Sequence, residues 1–183
     1  MLVGTNALRL VDGCPSPLVV VRGHSPGIAP PHGGPVVVGV DGTSASERAL
    51  RFASDLASHG EHRRLVAVHT WSEVATDSTG HPFRLTEDVD KLAARAEELL
   101  DSYLKPVLTA HPGLAVERHV RQDTPLRALL DLADTAWLLV VGQRRMLARP
   151  GIRAGSTSRG LVEFAPCPVA VIAPRPAEPA RNY

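Results

Sequence analysis

The sequence predicts an α/β fold in which an open, mostly parallel sheet carries helices on both faces. Three observations predict it. Short runs of β-branched residues alternate along the chain with longer segments of helical periodicity. The β-branched runs are apolar throughout, which is typical of strands buried on both faces of a sheet. The helical segments are long enough to form the crossovers that join parallel strands.

The first part of this alternation is a strand, a helix and a second strand. Residues 36–40 form a continuous apolar run and predict the first strand. Ser44 and Glu47 have the spacing of a capping box, so a helix begins there, and Gly60 ends it. Residues 65–68 (Leu-Val-Ala-Val) predict the second strand.

A polar stretch separates this part from the middle of the chain. Residues 72–84 predict a loop, and the apolar periodicity that follows predicts a helix from about residue 86 to 108. Residues 115–120 predict the third strand. Charged and polar side chains interrupt this run, which favours a position at the edge of the sheet.

The last part supplies two more strands. Thr124 followed by Pro125 predicts a helix start, with proline at the first helical position. Residues 137–141 predict the fourth strand. Gly155 precedes a run of hydroxyl residues that opens another helix, and residues 168–172 predict the fifth strand.

Composition excludes several classes of protein. The 183 residues suit one domain with an appendage. Twenty basic and 19 acidic residues give a net charge of +1, so no basic excess indicates nucleic-acid binding. The two cysteines lack metal-ligand spacing and the eight histidines form no H-x-x-x-H pair, so we predict no metal site.

The sequence also predicts where the protein acts. No apolar run reaches the roughly 18 residues of a membrane span. The N-terminus has no Lys or Arg before Arg9, unlike a secretory signal. We therefore expect a cytoplasmic protein with neither a membrane nor a nucleic-acid partner.

An internal repeat links the two ends of the chain. Residues 4–21 align without a gap to residues 155–172. Identical residues occupy six aligned positions: Gly4 and Gly155, Leu10 and Leu161, Val11 and Val162, Pro15 and Pro166, Pro17 and Pro168, Val20 and Val171. The alternative is a chance match between two helix-turn-strand segments.

The repeat predicts the domain organisation. Residues 1–22 are interpreted as the final helix and strand of an upstream copy, and residues 23–34 as the old linker. Residues 35–174 form the domain, and residues 175–183 a flexible tail.

The N-terminal remnant needs a partner, because a lone strand is unstable. We expect the strand that begins at Leu18 and ends at Val21 to pair with the exposed edge of the last strand, from Val169 to Ile172. A homodimer or a tandem copy would pair through the same last strand, so the remnant would occupy that edge.

The strongest chemical signal lies between the fourth strand and the last helix. Gly142 ends a buried strand, and a loop with four arginines follows. Gly155 then precedes Ser156, Thr157 and Ser158 at a helix start. The N–H groups and positive dipole at a helix N-terminus bind phosphate. The alternative is an ordinary helix cap after a basic loop.

Asp41 marks the opposite side of the predicted site. It follows the first strand at the carboxyl edge of the sheet, where ligands bind in folds of this class. We prefer a ligand role over a cap of the next turn with Thr43. His69, at the end of the second strand, is interpreted as a core histidine. The sequence contains no P-loop, no G-x-G-x-x-G and no nucleophile–base pattern, so we predict no catalytic residue and no enzyme.

These motifs resemble the signature of the universal stress protein family: Gly, two residues, Gly, nine residues, Gly, then Ser or Thr. Gly142 has the first place, and Gly155 and Ser156 have the last two. Val-Gly-Val-Asp-Gly-Thr at 38–43 and the closing Ala-Pro-Cys-Pro-Val-Ala-Val-Ile at 165–172 also resemble this family.

The resemblance implies a five-stranded, Rossmann-like sheet of the adenine nucleotide alpha hydrolase type, a dimer or tandem pair, and a role in stress response. It also implies ATP, with or without Mg²⁺, as the bound nucleotide. The positions that match the ATP site of relatives are Val40, Asp41 and Thr70 for adenine and ribose, Val141 and Gly142 for ribose, and Gly155, Ser156, Thr157 and Ser158 for the phosphates.

One position departs from the family signature, because Arg145 stands where the second glycine is expected. Its side chain would crowd the ligand, whereas its guanidinium suits phosphate oxygens. We include Arg145 in the predicted site and expect a nucleotide-binding regulatory module. The alternatives are an interaction protein whose vestigial site Arg145 blocks, and a weak ATPase.

Overall fold

A computed structural model describes residues 8–11, 14, 16–21, 33–60, 64–72, 74–76, 82–84, 88–143 and 156–173. Residues 8–11 are helical. The strands are β1 (Leu18–Val20), β2 (Val36–Gly39), β3 (Leu65–Trp71), β4 (Val74–Thr76), β5 (Pro82–Arg84), β6 (Val116–Gln122), β7 (Leu138–Gly142) and β8 (Val169–Ile172). The helices are α1 (Ser44–His59), α2 (Val89–Ala110), α3 (Pro125–Ala133) and α4 (Ser156–Phe164).

The main sheet has six strands in the order β1-β8-β7-β2-β3-β6. Strands β2, β3, β6, β7 and β8 are parallel, and β1 pairs antiparallel with β8. The predicted fold class, with its extra N-terminal strand, is confirmed. From β2 the chain moves through β3 to β6, and β7 then lies on the other side of β2. The order therefore reverses between β2 and β7, where ligands bind in open α/β sheets.

Apolar side chains fill the space between the sheet and the helices on both faces. One buried cluster joins the sheet to α1 and α2, and includes Leu50 and Leu104. The other joins it to α3 and α4, and includes Leu129 and Leu161. Val11, from the N-terminal helical residues, is buried in this second cluster. Two covered faces explain why the central strands β2 and β7 are apolar throughout instead of alternating.

The pairing of β1 with β8 has a local two-fold symmetry. Leu18 pairs with Val171, Val19 with Ala170 and Val20 with Val169. The repeat aligns Leu18 with Val169, Val19 with Ala170 and Val20 with Val171. Exchanging each residue for its aligned counterpart reproduces the same ladder. A pseudo-two-fold axis therefore passes through the pair of Val19 and Ala170, as in an isologous contact between two copies.

Strand β6 is the other edge of the described sheet, as its polar residues predicted. Arg118 lies 2.7 Å from a carboxylate oxygen of Glu97 and 2.8 Å from one of Asp101, both on α2. Glu117 bonds the Nε2 atom of His119, two residues along the strand. Charged side chains thus line this edge.

A predicted loop and a predicted helix start were wrong. Within the expected loop at residues 72–84, Val74–Thr76 and Pro82–Arg84 pair as an antiparallel hairpin. Strands of three residues are too short to reveal a two-residue period. The next helix begins at Val89 rather than at residue 86, because Asp88 caps it by accepting a hydrogen bond from the N–H of Asp90 at 3.1 Å.

None of the helices in the described ranges combines the length and apolar character that a bilayer crossing requires. Within the same ranges, no group of three or more His, Cys, Asp or Glu side chains is arranged to hold a metal ion.

Candidate functional site

The turn that follows β2 begins with Asp41, whose carboxylate is tied to the start of α1. Asp41 Oδ1 accepts hydrogen bonds from the N–H of Thr43 at 3.0 Å and from its hydroxyl at 2.6 Å. Thr43 Oγ1 accepts from the N–H of Ser46 at 3.2 Å and so caps the helix. The capping arrangement that the sequence left as an alternative is therefore present. Asp41 nevertheless remains exposed at the carboxyl edge of the sheet.

Two side chains from neighbouring elements fix the backbone of the same turn. The Nδ1 atom of His69, on β3, lies 2.7 Å from the carbonyl oxygen of Val40. Since a carbonyl only accepts, Nδ1 carries the proton in this contact. Tyr103, on α2, donates its hydroxyl to the carbonyl oxygen of Gly42 at 2.8 Å. A β-strand and a helix thus hold residues 40–42 in one conformation, and His69 has a structural role as expected.

Two glycines shape the space around this turn. Gly42 has φ +79°, a left-handed conformation that glycine adopts without strain. Gly142 ends β7 against the first turn of α1, where an added Cβ would lie 2.6 Å from the carbonyl carbon of Ala45 and from the nitrogen of Ser46. Any side chain at residue 142 would push β7 and α1 apart, so the absence of a Cβ brings these elements together.

Gln143 joins the end of β7 to two other parts of the fold. Its main-chain N–H donates to the carbonyl oxygen of Ile172 at 2.8 Å. Its side-chain Nε2 donates to the carbonyl oxygen of Val11. Nearby, Arg48 of α1 donates to the carbonyl oxygen of Ala173 at 2.7 Å. The carboxyl ends of β7 and β8 are thus bonded to α1 and to the N-terminal helical residues.

Sequence reasoning missed the parts that Tyr103, Gln143 and Arg48 play here. Tyr103 lies within the helix that the periodicity predicts, but periodicity does not reveal what its hydroxyl bonds. Gln143 and Arg48 bond main-chain oxygens that are distant in sequence, and no local pattern marks such contacts.

The first turn of α4 presents hydroxyl groups of different accessibility. Ser156 is exposed, Thr157 is half-buried and Ser158 is buried. The chain leaves β7 at the carboxyl edge of the sheet and enters parallel β8 from the opposite edge. This direction of the chain supports the prediction that α4 starts on the carboxyl side.

Apart from Ser156, Thr157 and Ser158 on α4, the predicted site residues fall into three groups. Val40, Asp41, Val141 and Gly142 lie at the ends of the neighbouring strands β2 and β7, at the point where the strand order reverses. Thr70 lies within β3, paired with Arg121, and not beyond the strand as its place after residues 65–68 suggested. Arg145 and Gly155 lie outside the described residues.

Neither cysteine belongs to this site. Cys167 is buried between α4 and β8, and burial raises the pKa of its thiol to about 11. A thiol with such a pKa is protonated at neutral pH and is a poor nucleophile. Cys14 is half-buried beside the N-terminal helical residues.

Comparison with known proteins places this architecture in a family. A sequence profile of the universal stress protein family matches residues 34–173. Universal stress protein Rv2623 of Mycobacterium tuberculosis is 33% identical over 171 residues, which are 93% of this chain and 55% of that protein. The chain spans about half the length of the curated relatives it matches.

Solved structures share the fold. A universal stress protein from Archaeoglobus fulgidus DSM 4304 aligns with a TM-score of 0.66 and 21% identity, over 96% of this chain and 57% of that chain. A universal stress protein in complex with cAMP aligns with a TM-score of 0.58 and 20% identity, over 77% of this chain and 97% of that chain. With the family profile matched over most of its length, this chain belongs to the universal stress protein family.

Proposed function

We propose that this chain is a regulatory module that binds ATP or a related adenine nucleotide where β2 and β7 lie side by side, and acts in stress response through assembly or partner binding. The observation that carries the proposal is the fixed turn at residues 40–43, next to Gly142 at the reversal of strand order.

The turn supports nucleotide binding because it is already ordered. His69, Tyr103 and Thr43 each hold one of its residues. A ligand that meets an ordered turn loses little free energy to ordering it. The exposed carboxylate of Asp41 is an acceptor suited to ribose hydroxyls. Val40, Thr70 and Val141 would line the side of the site that faces the base and the sugar.

The first turn of α4 supports binding of the phosphates. Ser156 and Thr157 are accessible, and the helix N-terminus adds N–H donors and positive potential. Ser158, being buried, is better suited to hold the turn than to meet the ligand directly. In the proposed site Gly155 allows close approach of the backbone, and Arg145 adds a guanidinium with paired donors.

The choice of an adenine nucleotide as the ligand rests on a structural relative as well as on the chemistry of the proposed site. A universal stress protein of the same fold has been solved with cAMP. The hydroxyl-rich helix start after a basic loop favours a longer phosphate tail, and therefore ATP, over a cyclic monophosphate. Mg²⁺ would bind through the phosphates, since the described residues contain no metal-ligand cluster of their own.

Calorimetry and thermal unfolding with ATP, AMP and cAMP, each with and without Mg²⁺, test the proposal, with GTP as the control for the base. We expect saturable heat with ATP, and stabilisation of about 2.7 kcal/mol at a nucleotide concentration one hundred times Kd. The double substitution Ser156→Ala and Thr157→Ala should weaken ATP more than AMP. Ser102→Ala, on an exposed face of α2, should change neither affinity.

Other outcomes would assign a different function. No response to any adenine nucleotide at millimolar concentration would refute the proposal and favour a pure interaction protein. Binding gained only in Arg145→Gly would identify Arg145 as the group that blocks the site. Steady phosphate release that Asp41→Asn abolishes would favour a weak ATPase.

The pairing of β1 with β8 favours a function that depends on assembly with a second domain. We propose that residues 1–22 derive from the end of an upstream domain and occupy the edge through which a homodimer or a tandem copy would pair. The symmetric register of Leu18–Val20 on Val169–Ile172 supports this origin, because two equivalent strands would pair in the same way.

A further inference from the structure

Trp71 is the last residue of β3, at the carboxyl edge of the main sheet. Strands β2 and β3 are parallel, and their last paired residues are Gly39 and Val68. Strand β3 continues for three residues beyond this pair, whereas the chain turns after β2. Trp71 therefore lies at the level of the turn at residues 40–42, on the neighbouring strand.

Alternation along β3 places the indole on the side of the sheet that α1 and α2 cover. The side chains of a strand alternate between its two faces, and Trp71 is an even number of residues from Leu65 and Ala67. Both of those residues are buried in the cluster that joins the sheet to α1 and α2. Tyr103, which bonds the turn at Gly42, belongs to α2. Trp71 and Tyr103 thus lie on the same side of the sheet as the fixed turn.

Trp71 is half-buried, but it is not among the side chains that pack against the two apolar clusters of the described residues. Trp137, the other tryptophan of the chain, packs against the cluster beneath α1 and α2, and so does Tyr103. An indole carries a large apolar face with a preferred stacking geometry. The face of Trp71 belongs to the carboxyl edge of the sheet, where the nucleotide is proposed to bind, and not to these clusters.

The order of the strands defines the direction in which a nucleotide would lie. Helix α4, whose first turn carries the proposed phosphate ligands, follows β7 and precedes β8, and both strands lie on one side of β2. Strand β3 lies on the other side of β2. A nucleotide whose phosphates meet α4 and whose ribose meets Asp41 therefore carries its base towards β3, which ends at Trp71.

We propose that Trp71 is the platform on which the base of the bound nucleotide stacks, and that it makes the site prefer purines to pyrimidines. This role depends on the nucleotide site proposed above. Every base has a π face that stacks on an aromatic side chain. A purine has two fused rings and covers more of the indole than the single ring of a pyrimidine, so its stacking is stronger.

The two tryptophans of the chain allow a test by fluorescence. Trp137 precedes β7, and its N–H donates to the carbonyl oxygen of Pro35 at 2.9 Å, so it lies at the opposite, amino edge of the sheet. Trp137→Phe leaves Trp71 as the only tryptophan. We expect ATP to quench its emission, with a midpoint equal to the Kd from calorimetry. In Trp71→Phe, the emission of Trp137 should not respond to ATP.

Affinity measurements separate stacking from a structural role. Trp71→Leu should weaken ATP binding by roughly 5- to 150-fold and reduce the preference for ATP over CTP, because leucine has no π face. Trp71→Phe should retain most of the affinity, because it keeps an aromatic face. Inorganic triphosphate, which has no base, should bind the natural chain and Trp71→Leu equally. Trp137→Phe is the matched control and should bind ATP as the natural chain does.

Two results would overturn the role of Trp71 while leaving the nucleotide site intact. One is saturable binding of ATP to Trp137→Phe without any change in the emission of Trp71. The other is a Trp71→Leu variant that loses affinity for ATP and for triphosphate to the same extent, since the indole would then support the fold. Absence of ATP binding to the natural chain would instead refute the nucleotide site, and the stacking role with it. If Trp71→Leu does not fold, the emission of Trp71 in Trp137→Phe decides.

Discussion

Gln143 donates its side-chain amide to the carbonyl oxygen of Val11, and both residues are buried. The bond joins the residue that follows β7 to the helical residues near the N-terminus. Gln143 is also the last described residue before the arginine-bearing loop at residues 144–155. This side chain therefore links the N-terminal segment to the carboxyl edge of the sheet.

Replacing Gln143 by leucine should loosen the N-terminal segment. The carbonyl of Val11 would lose its donor in a buried place, at a cost of about 1–3 kcal/mol. The amide of Cys14, which bonds the carbonyl oxygen of Leu10 at 2.9 Å, reports the change by faster hydrogen exchange. Gln122→Leu, on the exposed edge strand β6, is the matched control. Unchanged exchange at Cys14 would mean that the bond does not hold the segment.

Gly142→Ala should destabilise the domain by about 1–3 kcal/mol, because a Cβ at 2.6 Å from the α1 backbone forces β7 and α1 apart. Gly113→Ala is the control, since an added Cβ there meets no atom within 4 Å. Urea denaturation of the two variants provides the comparison. Equal urea midpoints for the two variants would show that β7 and α1 can move apart to accommodate the added Cβ without a cost in stability.

Tyr103→Phe should lower stability by about 0.5–1.5 kcal/mol, because the carbonyl of Gly42 loses its hydrogen bond. If the turn holds the nucleotide, ATP affinity should fall as well, since the turn would have to be ordered on binding. Ser102→Ala, the neighbouring substitution on α2, should affect neither quantity. A loss of stability with unchanged ATP affinity would show that the turn does not contribute to ATP binding.

Stability should fall in alkaline solution because of Cys167. Burial raises the pKa of its thiol from the ordinary value of 9.0 to about 11. The unfolded chain thus loses the proton first, so the contribution is complete below pH 9 and disappears as the pH rises to about 11. The loss amounts to about 2 kcal/mol.

Urea denaturation at pH 8, 9.5 and 10.5 measures this loss. Cys167→Ala should make stability less dependent on pH than it is in the natural chain, while Cys14→Ala should leave that dependence unchanged. Parallel curves for the natural chain and Cys167→Ala would assign the alkaline loss to other groups.

Deleting residues 1–30 should convert the chain to a dimer or an aggregate. The deletion removes β1 and exposes the edge of β8 from Val169 to Ile172, whose unpaired N–H and C=O groups invite a second strand. Sedimentation at several concentrations measures the change. A truncated chain that remains monomeric and stable would show that β8 tolerates an open edge.

The sequence predicted the parts of this fold that local patterns encode. Continuous apolar runs marked β2 and β7 because both sheet faces are covered, and the polar residues of β6 marked an edge strand. The repeat predicted that Leu18 and its neighbours pair with the last strand, which the ladder confirms.

Other features depend on contacts between distant residues, and no local pattern carries them. The hydroxyl of Tyr103 reaches Gly42 only because α2 packs beside the turn. The steric need for Gly142 comes from the first turn of α1, almost one hundred residues earlier in the chain. At Asp41 the sequence favoured a ligand, and the structure adds a cap. A carboxylate with more than one oxygen lone pair can serve both, so the ligand role stays a prediction.

The ion pairs of Arg118 with Glu97 and Asp101 bear on how large an assembly can grow. They occupy the margin of the sheet that no neighbour covers in the described structure, and pairing there would disturb a charged network. Within the described sheet, a second domain could then add its strands only at the edge that carries β1 and β8, through a symmetric contact. Growth of that kind stops at a finite pair and does not propagate into a fibre.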